Sequence, residues 1–207
     1  METKTLIVGD LATNCYLAWC RDTKDALVID PGGDAPVIVK AIESLSLKVA
    51  YIVNTHGHLD HIGANSELHS ALNCPIAIGN LDQGMLTDAG ENLSYHVGPP
   101  MTSPAAEILL EHGDKLEFGR CTLEVLATPG HTRGGISLYG HGILFAGDTL
   151  FQRSIGRSDL PGGNQQQQLA SIRTKLLTLP DATRVLPGHG PETTIGQERV
   201  HNPWLQG

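Results

Sequence analysis

Val49-Ala50-Tyr51-Ile52-Val53-Asn54-Thr55-His56-Gly57-His58-Leu59-Asp60-His61 places four side chains of metal-ligand type within six residues, directly behind an apolar run of strand character. Imidazole nitrogen and carboxylate oxygen suit zinc and its first-row neighbours. Buried without a cation, three imidazoles this close would repel when protonated and lose hydration; a bound metal ion reverses that balance. If the strand ends near Asn54, His56 and His58 fall on one side of the extended chain, because side chains alternate, and both reach one ion. Asp60 and His61 are neighbours pointing in different directions, so they serve a second ion, with Ile62-Gly63-Ala64 opening a helix behind them. The competing reading is an exposed His-rich turn, but His-x-His-x-Asp-His arises by chance in on the order of one in a thousand sequences of this composition.

The 207 residues fit one domain, 1–207, able to bury about two thirds of its unfolded surface without disulfides. Cys15, Cys20, Cys74 and Cys121 lack Cys-x-x-Cys spacing and read as buried free thiols. Met1-Glu2-Thr3-Lys4 leads into a short apolar run unlike a signal peptide, and no stretch reaches membrane-spanning length, so a cytoplasmic protein is expected. The formal net charge of −8 speaks against a nucleic-acid binder and leaves a small molecule, anionic ones included, as the expected partner.

Residues 5–8, 15–19 and 26–29 read as three antiparallel strands, and 37–45 carries apolar residues at helical spacing before the strand that delivers the cluster. Asp30, at the end of the third strand, is a candidate to orient a ligating imidazole from behind, the alternative being a turn-forming Asp. Helices are expected over 64–72 and 81–89 around a short strand at 76–78, and 90–104, with its adjacent prolines, as a loop bordering the site. From Ile108 a second set of strands follows (115–118, 121–127, 136–139, 143–146), then a helix over 165–177 and a last strand at 184–186. His69, His96, His112, His141 and His201 fit no ligand pattern.

Three more strand ends carry a ligand type between glycines and prolines: Thr128-Pro129-Gly130-His131-Thr132, Ala146-Gly147-Asp148-Thr149 and Pro187-Gly188-His189-Gly190-Pro191. Gly permits a tight turn and Pro stiffens one, so each ligand is held with little freedom. The count then closes. His56, His58 and His131 make three neutral ligands for one ion; Asp60, His61 and His189 make three for another; Asp148 can bridge both. Bridged ions lie about 3.5–4 Å apart, and each keeps an open position, the mark of a catalytic rather than a structural site. Hydrolysis by attack of a metal-bound hydroxide on a substrate carbonyl is the expected chemistry, with Asp60 and Asp148 in the catalytic centre.

In this order, His-x-His-x-Asp-His, the lone His131, Gly147-Asp148 and Gly188-His189 resemble the metallo-β-lactamase fold superfamily. The stretch Gly147-Asp148-Thr149-Leu150-Phe151, running into Ile155-Gly156-Arg157-Ser158-Asp159-Leu160-Pro161-Gly162-Gly163, resembles its glyoxalase II-like branch, the hydroxyacylglutathione hydrolases. The resemblance spans residues 54–191 and implies an α/β fold, a four-layer α/β/β/α sandwich, with the ligand roles given above. It implies a thioester such as S-D-lactoylglutathione, or a related small acyl ester, as substrate. This sequence departs from the branch twice. Only a short tail follows His189 where typical members carry a helical extension with basic residues for the glutathione carboxylates, and Asp159 stands two positions after Arg157 where they carry Tyr. The chain thus resembles the short, single-domain members, with Arg157 expected to hold an anionic group of the substrate. Asp148, with no Cys at any tip, sets it apart from β-lactamases that use a thiolate ligand. Two zinc ions are expected, and iron or manganese would accept the same ligands. The alternative is a mononuclear iron persulfide dioxygenase, since a related branch uses residues placed like His56, His131 and Asp148 as a facial triad; the complete second ligand set favours the hydrolase.

Overall fold

The computed structural model describes residues 1–206. β1 (Glu2–Val8), β2 (Thr13–Trp19) and β3 (Asp25–Ile29) form the antiparallel start predicted from their apolar runs. Helix α1 (Ala35–Ser44) then returns the chain so that β4 (Lys48–Asn54) lies parallel to β3. A one-turn helix α2 (Leu59–Ile62) and helix α3 (Asn65–Leu72) lead to β5 (Ile76–Gly79). Short helices α4 (Gln83–Thr87) and α5 (Ser94–Val97) precede β6 (Ile108–Leu110), which closes a six-stranded sheet. The second sheet, also of six strands, is built on the antiparallel ribbon β7 (Lys115–Phe118), β8 (Cys121–Ala127), β9 (Ile136–Gly140) and β10 (Ile143–Gly147). The hairpin β11 (Leu150–Phe151) and β12 (Ser154–Ile155) and helix α6 (Gln165–Ser171) intervene before β13 (Arg184–Pro187), parallel to β10; β14 (Thr193–Thr194) and helix α7 (Ile195–His201) follow.

Alternation along the strands sorts the core into layers. Cys15, Leu17, Ala26 and Val28 pack against Ile38, Ala41 and Ile42 of α1, whereas Tyr16, Ala18, Leu27 and Ile29 meet Leu123, Val125, Leu138 and Phe145 across the gap between sheets. The far face of the second sheet, with Leu144, Ala146 and Val185, is covered by Ile172, Leu176 and Ile195. The order helix, sheet, sheet, helix is the four-layer α/β/β/α sandwich. Both faces of β2 and β3 are buried, so these strands read as near-continuous apolar runs. All four cysteines are free and buried. Among the described residues no helix is long and apolar enough to cross a membrane.

Several boundaries differ from expectation. Ile108–Leu110 joins the first sheet, parallel to β5, rather than opening the second. An apolar triplet announces a strand but not its neighbour. The helix expected over 81–89 stops at Thr87, because Asp88 Oδ1 accepts the backbone N–H groups of Gly90 and Glu91 in a turn of its own. The helix expected over 165–177 starts as predicted, with Asn164 capping Gln167 N at 3.0 Å, but widens into a π-helical turn over Ile172–Leu176. The segment after His189 carries β14 and α7, tied down by Glu198, which accepts the Thr193 hydroxyl and Arg153 N.

Phe145 is fully buried at the centre of the inter-sheet layer and meets Tyr16 edge-on at 5.4 Å. Phe145→Ala is expected to lower the unfolding free energy by about 3–5 kcal/mol, read from the midpoint of a denaturant titration.

Candidate metal centre

The seven predicted ligands meet at one edge of the sandwich. β4 delivers His56 and His58 just beyond its end, α2 carries Asp60 and His61, the β8–β9 connection carries His131, and Asp148 and His189 follow β10 and β13. His131 Nε2 lies 2.9 Å from His58 Nδ1 and 3.2 Å from His56 Nε2. Asp60 Oδ2 lies 3.0 Å from His189 Nε2 and 3.5 Å from His61 Nε2. Asp148 stands between these two sets: Oδ1 is 3.5 Å from His61 Nε2, and Oδ2 is 3.7 Å from the Nε2 atoms of both His131 and His189. The structure thus gathers the predicted triplets His56, His58, His131 and Asp60, His61, His189, with a third, His56, His61, Asp148, overlapping both.

Hydrogen bonds behind the rings decide which nitrogen faces the centre. His131 Nδ1 donates to the Arg157 carbonyl at 2.6 Å, which leaves a lone pair on Nε2. The Thr55 hydroxyl donates to Asp30 Oδ2 at 2.7 Å, so its oxygen can accept from His56 Nδ1 at 3.1 Å, again freeing Nε2. Asp30 also accepts Thr55 N at 2.7 Å and sits 3.0 Å from His61 Nδ1, an ion-pair contact turned off the axis of a well-formed hydrogen bond. The end of β3 therefore places Asp30 where a carboxylate orienting His61 has to be. Close packing depends on two glycines. A Cβ on Gly188 would strike Asp148 Oδ1 and the His61 ring, and Gly147, at a φ of 50°, turns the chain against Thr55 where a side chain would collide.

Asp82 belongs to the site without having stood out in the sequence. Buried at the start of α4, it accepts the Thr132 hydroxyl and Gly134 N, each at 2.6 Å, and so fixes the loop that carries His131. Burial outweighs those bonds and pushes its carboxyl above the usual carboxylate range. In the sequence it is one of two aspartates in a mixed polar and apolar stretch, Leu81 to Ala89, and nothing there marks it out.

Charge is distributed unevenly over the cluster. Burial, aided by the neighbouring rings, drives His56 well below its ordinary value and His58 down to about 3. Burial also opposes charge on His61, but Asp60, Asp30 and Asp148 overcome it and push this group up to about 10. Asp60, despite burial, is held far below the carboxylate range by His61 and His189. His56 and His58 therefore stand as neutral imidazoles, while Asp60 and His61 form a charge-balanced pair in which a divalent cation can replace protons. His61 Nε2 and Asp148 Oδ1 are buried with no hydrogen-bond partner, a cost of about 1–3 kcal/mol for each such group. Coordination would remove it, so the donor set fits divalent metal ions.

Arg157 lies at the rim, exposed, with its guanidinium doubly bonded to Asp159 at 2.9 Å; only its backbone carbonyl reaches the cluster. Of the histidines outside the pattern, His69 pairs with Glu107 at 2.7 Å, and among the described residues none of the five joins a ligand group.

An α/β/β/α sandwich with two adjoining ligand sets at the strand ends defines a class of metal-dependent proteins. Residues 8–189 match the Metallo-beta-lactamase superfamily profile. The hydroxyacylglutathione hydrolase GloC of Haemophilus influenzae is 37% identical, with the alignment covering 99% of this chain and 98% of GloC. Among solved structures, BLEG-1 B3 metallo-beta-lactamase superposes with a TM-score of 0.95 at 40% identity over 100% of both chains. TTHA1623, solved in a di-iron-bound form, superposes with a TM-score of 0.88 at 35% identity, covering 98% of this chain and 100% of that one. The chain belongs to the metallo-β-lactamase superfamily and is a metallo-hydrolase of it.

Asp30→Asn can keep the acceptor for Thr55 N but replaces Oδ2, which accepts the Thr55 hydroxyl and faces His61, with an uncharged N–H donor. It is expected to weaken metal uptake about 10–100-fold with the fold retained, as measured by competition against a chromophoric chelator.

Proposed function

We propose that this protein is a dinuclear metallohydrolase that cleaves a thioester of the S-D-lactoylglutathione kind or a related small acyl ester. The observation that carries the reading is the placement of Asp148, whose two oxygens lie within 3.5–3.7 Å of imidazoles from both ligand sets. A carboxylate in that position suits a pair of ions sharing one bridge. A mononuclear facial triad would use His56, His131 and Asp148 and leave Asp60, His61 and His189 assembled without purpose. The substrate class is supported by the likeness to GloC, named a hydroxyacylglutathione hydrolase.

Two divalent ions held here, zinc or iron, would supply an activated water near neutral pH and a Lewis acid for the acyl carbonyl. The chain's own groups do the rest. His56, His58 and His61 close the back of the site, while His189, its side chain 29% exposed, and the partly exposed Asp60 and Asp148 form the side open to substrate. Asp60, kept ionised by its histidine partners, presents a carboxylate rather than a carboxylic acid to a cation. At the rim, Arg157 is proposed to meet an anionic group of the substrate. Its exposed pair with Asp159 is solvent-screened and weak enough to exchange partners. The likeness to BLEG-1 favours one second reading, a β-lactam ring amide as the bond cleaved.

Elemental analysis followed by a panel of thioester, β-lactam and persulfide substrates tests the reading. Two ions per chain and thioester turnover are expected. Asp148→Ala should lower turnover more than about 100-fold, beyond the effect of an outer-layer partner, and release metal. One iron per chain with oxygen consumption on a persulfide, or normal turnover in Asp148→Ala, would overturn it.

A further inference from the structure

We infer that Asn14 is a positioning residue for one of the two ions only, the one served by Asp60, His61 and His189. This rests on the two-ion reading above. The tip of β2 is wrapped around the loop that carries His189. Asn14 Nδ2 donates to the carbonyls on both sides of that residue, Pro187 O at 3.0 Å and Gly190 O at 2.9 Å, and Asn14 N donates to Gly188 O at 2.7 Å. Two residues on, the Tyr16 hydroxyl donates to Pro187 O at 2.6 Å. Thr13 pairs with His189 in an isolated antiparallel bridge and directs its hydroxyl at Asp60 Oδ2, 3.4 Å away. All three residues are buried.

Asp30 stands behind both ligand sets, through Thr55 and at His61, but the other supports are divided. His56 and His131 are held from Thr55, the Arg157 carbonyl and the Asp82 loop. His189 hangs on a loop whose carbonyls are claimed by the side chains of β2, more than 170 residues away in sequence. A helix or a broad strand would hold its ligand by its own ladder. A tip between Gly188 and Gly190 has only the isolated bridge to Thr13 and the bond from Gly188 N to Gly147 O, so its position depends strongly on what binds its carbonyls. Only a double donor can do this. A carboxylate of the same shape would face two carbonyl oxygens with acceptors and push the loop away.

The test is cobalt(II) titration of metal-free protein, followed by absorption and by elemental analysis, on wild type, Asn14→Asp and Tyr16→Phe. Ile42→Val, in the layer where α1 covers the first sheet and away from every ligand loop, controls for loss of stability. Wild type should take up two equivalents. Asn14→Asp should keep one at unchanged affinity and bind the second about 10–100-fold more weakly; Tyr16→Phe, which removes a single donor, should shift the same equivalent by less; Ile42→Val should keep both. An Asn14→Asp protein that holds both equivalents at wild-type affinity, or loses both in parallel, overturns the positioning role while the two-ion reading stands. Wild type taking up a single equivalent overturns that reading and this inference with it.

Discussion

Five imidazoles lie with neighbouring ring centres 4.0–5.4 Å apart, and two carboxylates sit among them. The rest of the structure answers to that crowding. Fully protonated, the rings would repel one another with little water to screen them; fully neutral, they would point lone pairs at each other and leave the carboxylates unbalanced. Protons alone give a compromise, with His56 and His58 driven neutral by burial and His61 kept charged by three surrounding acids. Bound divalent cations would satisfy all seven side chains at once. Until they bind, the groups must be held together by forces other than their own attraction.

The fold supplies those forces through the backbone. β4, β10 and β13 end at the same edge, so His56, Asp148 and His189 are brought together by strands paired in two different sheets. The layer between the sheets fixes how far apart those ends lie, because Tyr16, Ile29, Phe145 and Leu186 interlock there. Each ligand then projects from a short, stiff connection, and where two connections touch, as at Gly188 against Asp148, there is room only for a hydrogen atom. Core packing and site geometry are therefore one problem. A shift between the sheets would move ligands relative to one another before it exposed any apolar surface.

The parts legible in the sequence share a property: their chemistry is local and their residue types are uncommon. His56, His58, Asp60 and His61 announce themselves within six positions, and His131, Asp148 and His189 each stand in a Gly-bearing tip after an apolar run. Asp30 was legible as an acid at a strand end. Residues that act through distant partners were not. Asp82 reaches Thr132 across 50 positions and Asn14 reaches Pro187 across 173, and an aspartate in a helix or an asparagine at a strand start gives no sign of such a partner. Sheet membership was hidden for the same reason, since β6 is a three-residue apolar run whose place beside β5 depends on the path of the chain between them. Arg157 shows the converse. Its charge drew attention, yet the contact it makes with the cluster is through its carbonyl oxygen, a group every residue has.

The two ligand sets also differ in their relation to solvent, and the difference bears on chemistry. His56, His58 and His131 are buried, so an ion among them is enclosed by protein on most sides. His189 is the most open of the seven, and it stands beside Asp60 and Asp148, which keep part of their carboxylates exposed. Structural metal sites are closed by four protein ligands, whereas catalytic ones leave a position for water or substrate. Here the closed side offers imidazoles and the open side carries both carboxylates. On the proposed reading, a substrate entering from solvent would meet the side bearing Asp60 and Asp148 first, while His56, His58 and His131 would hold an enclosed ion able to supply Lewis-acid chemistry, with no acidic side chain beside it other than the shared Asp148.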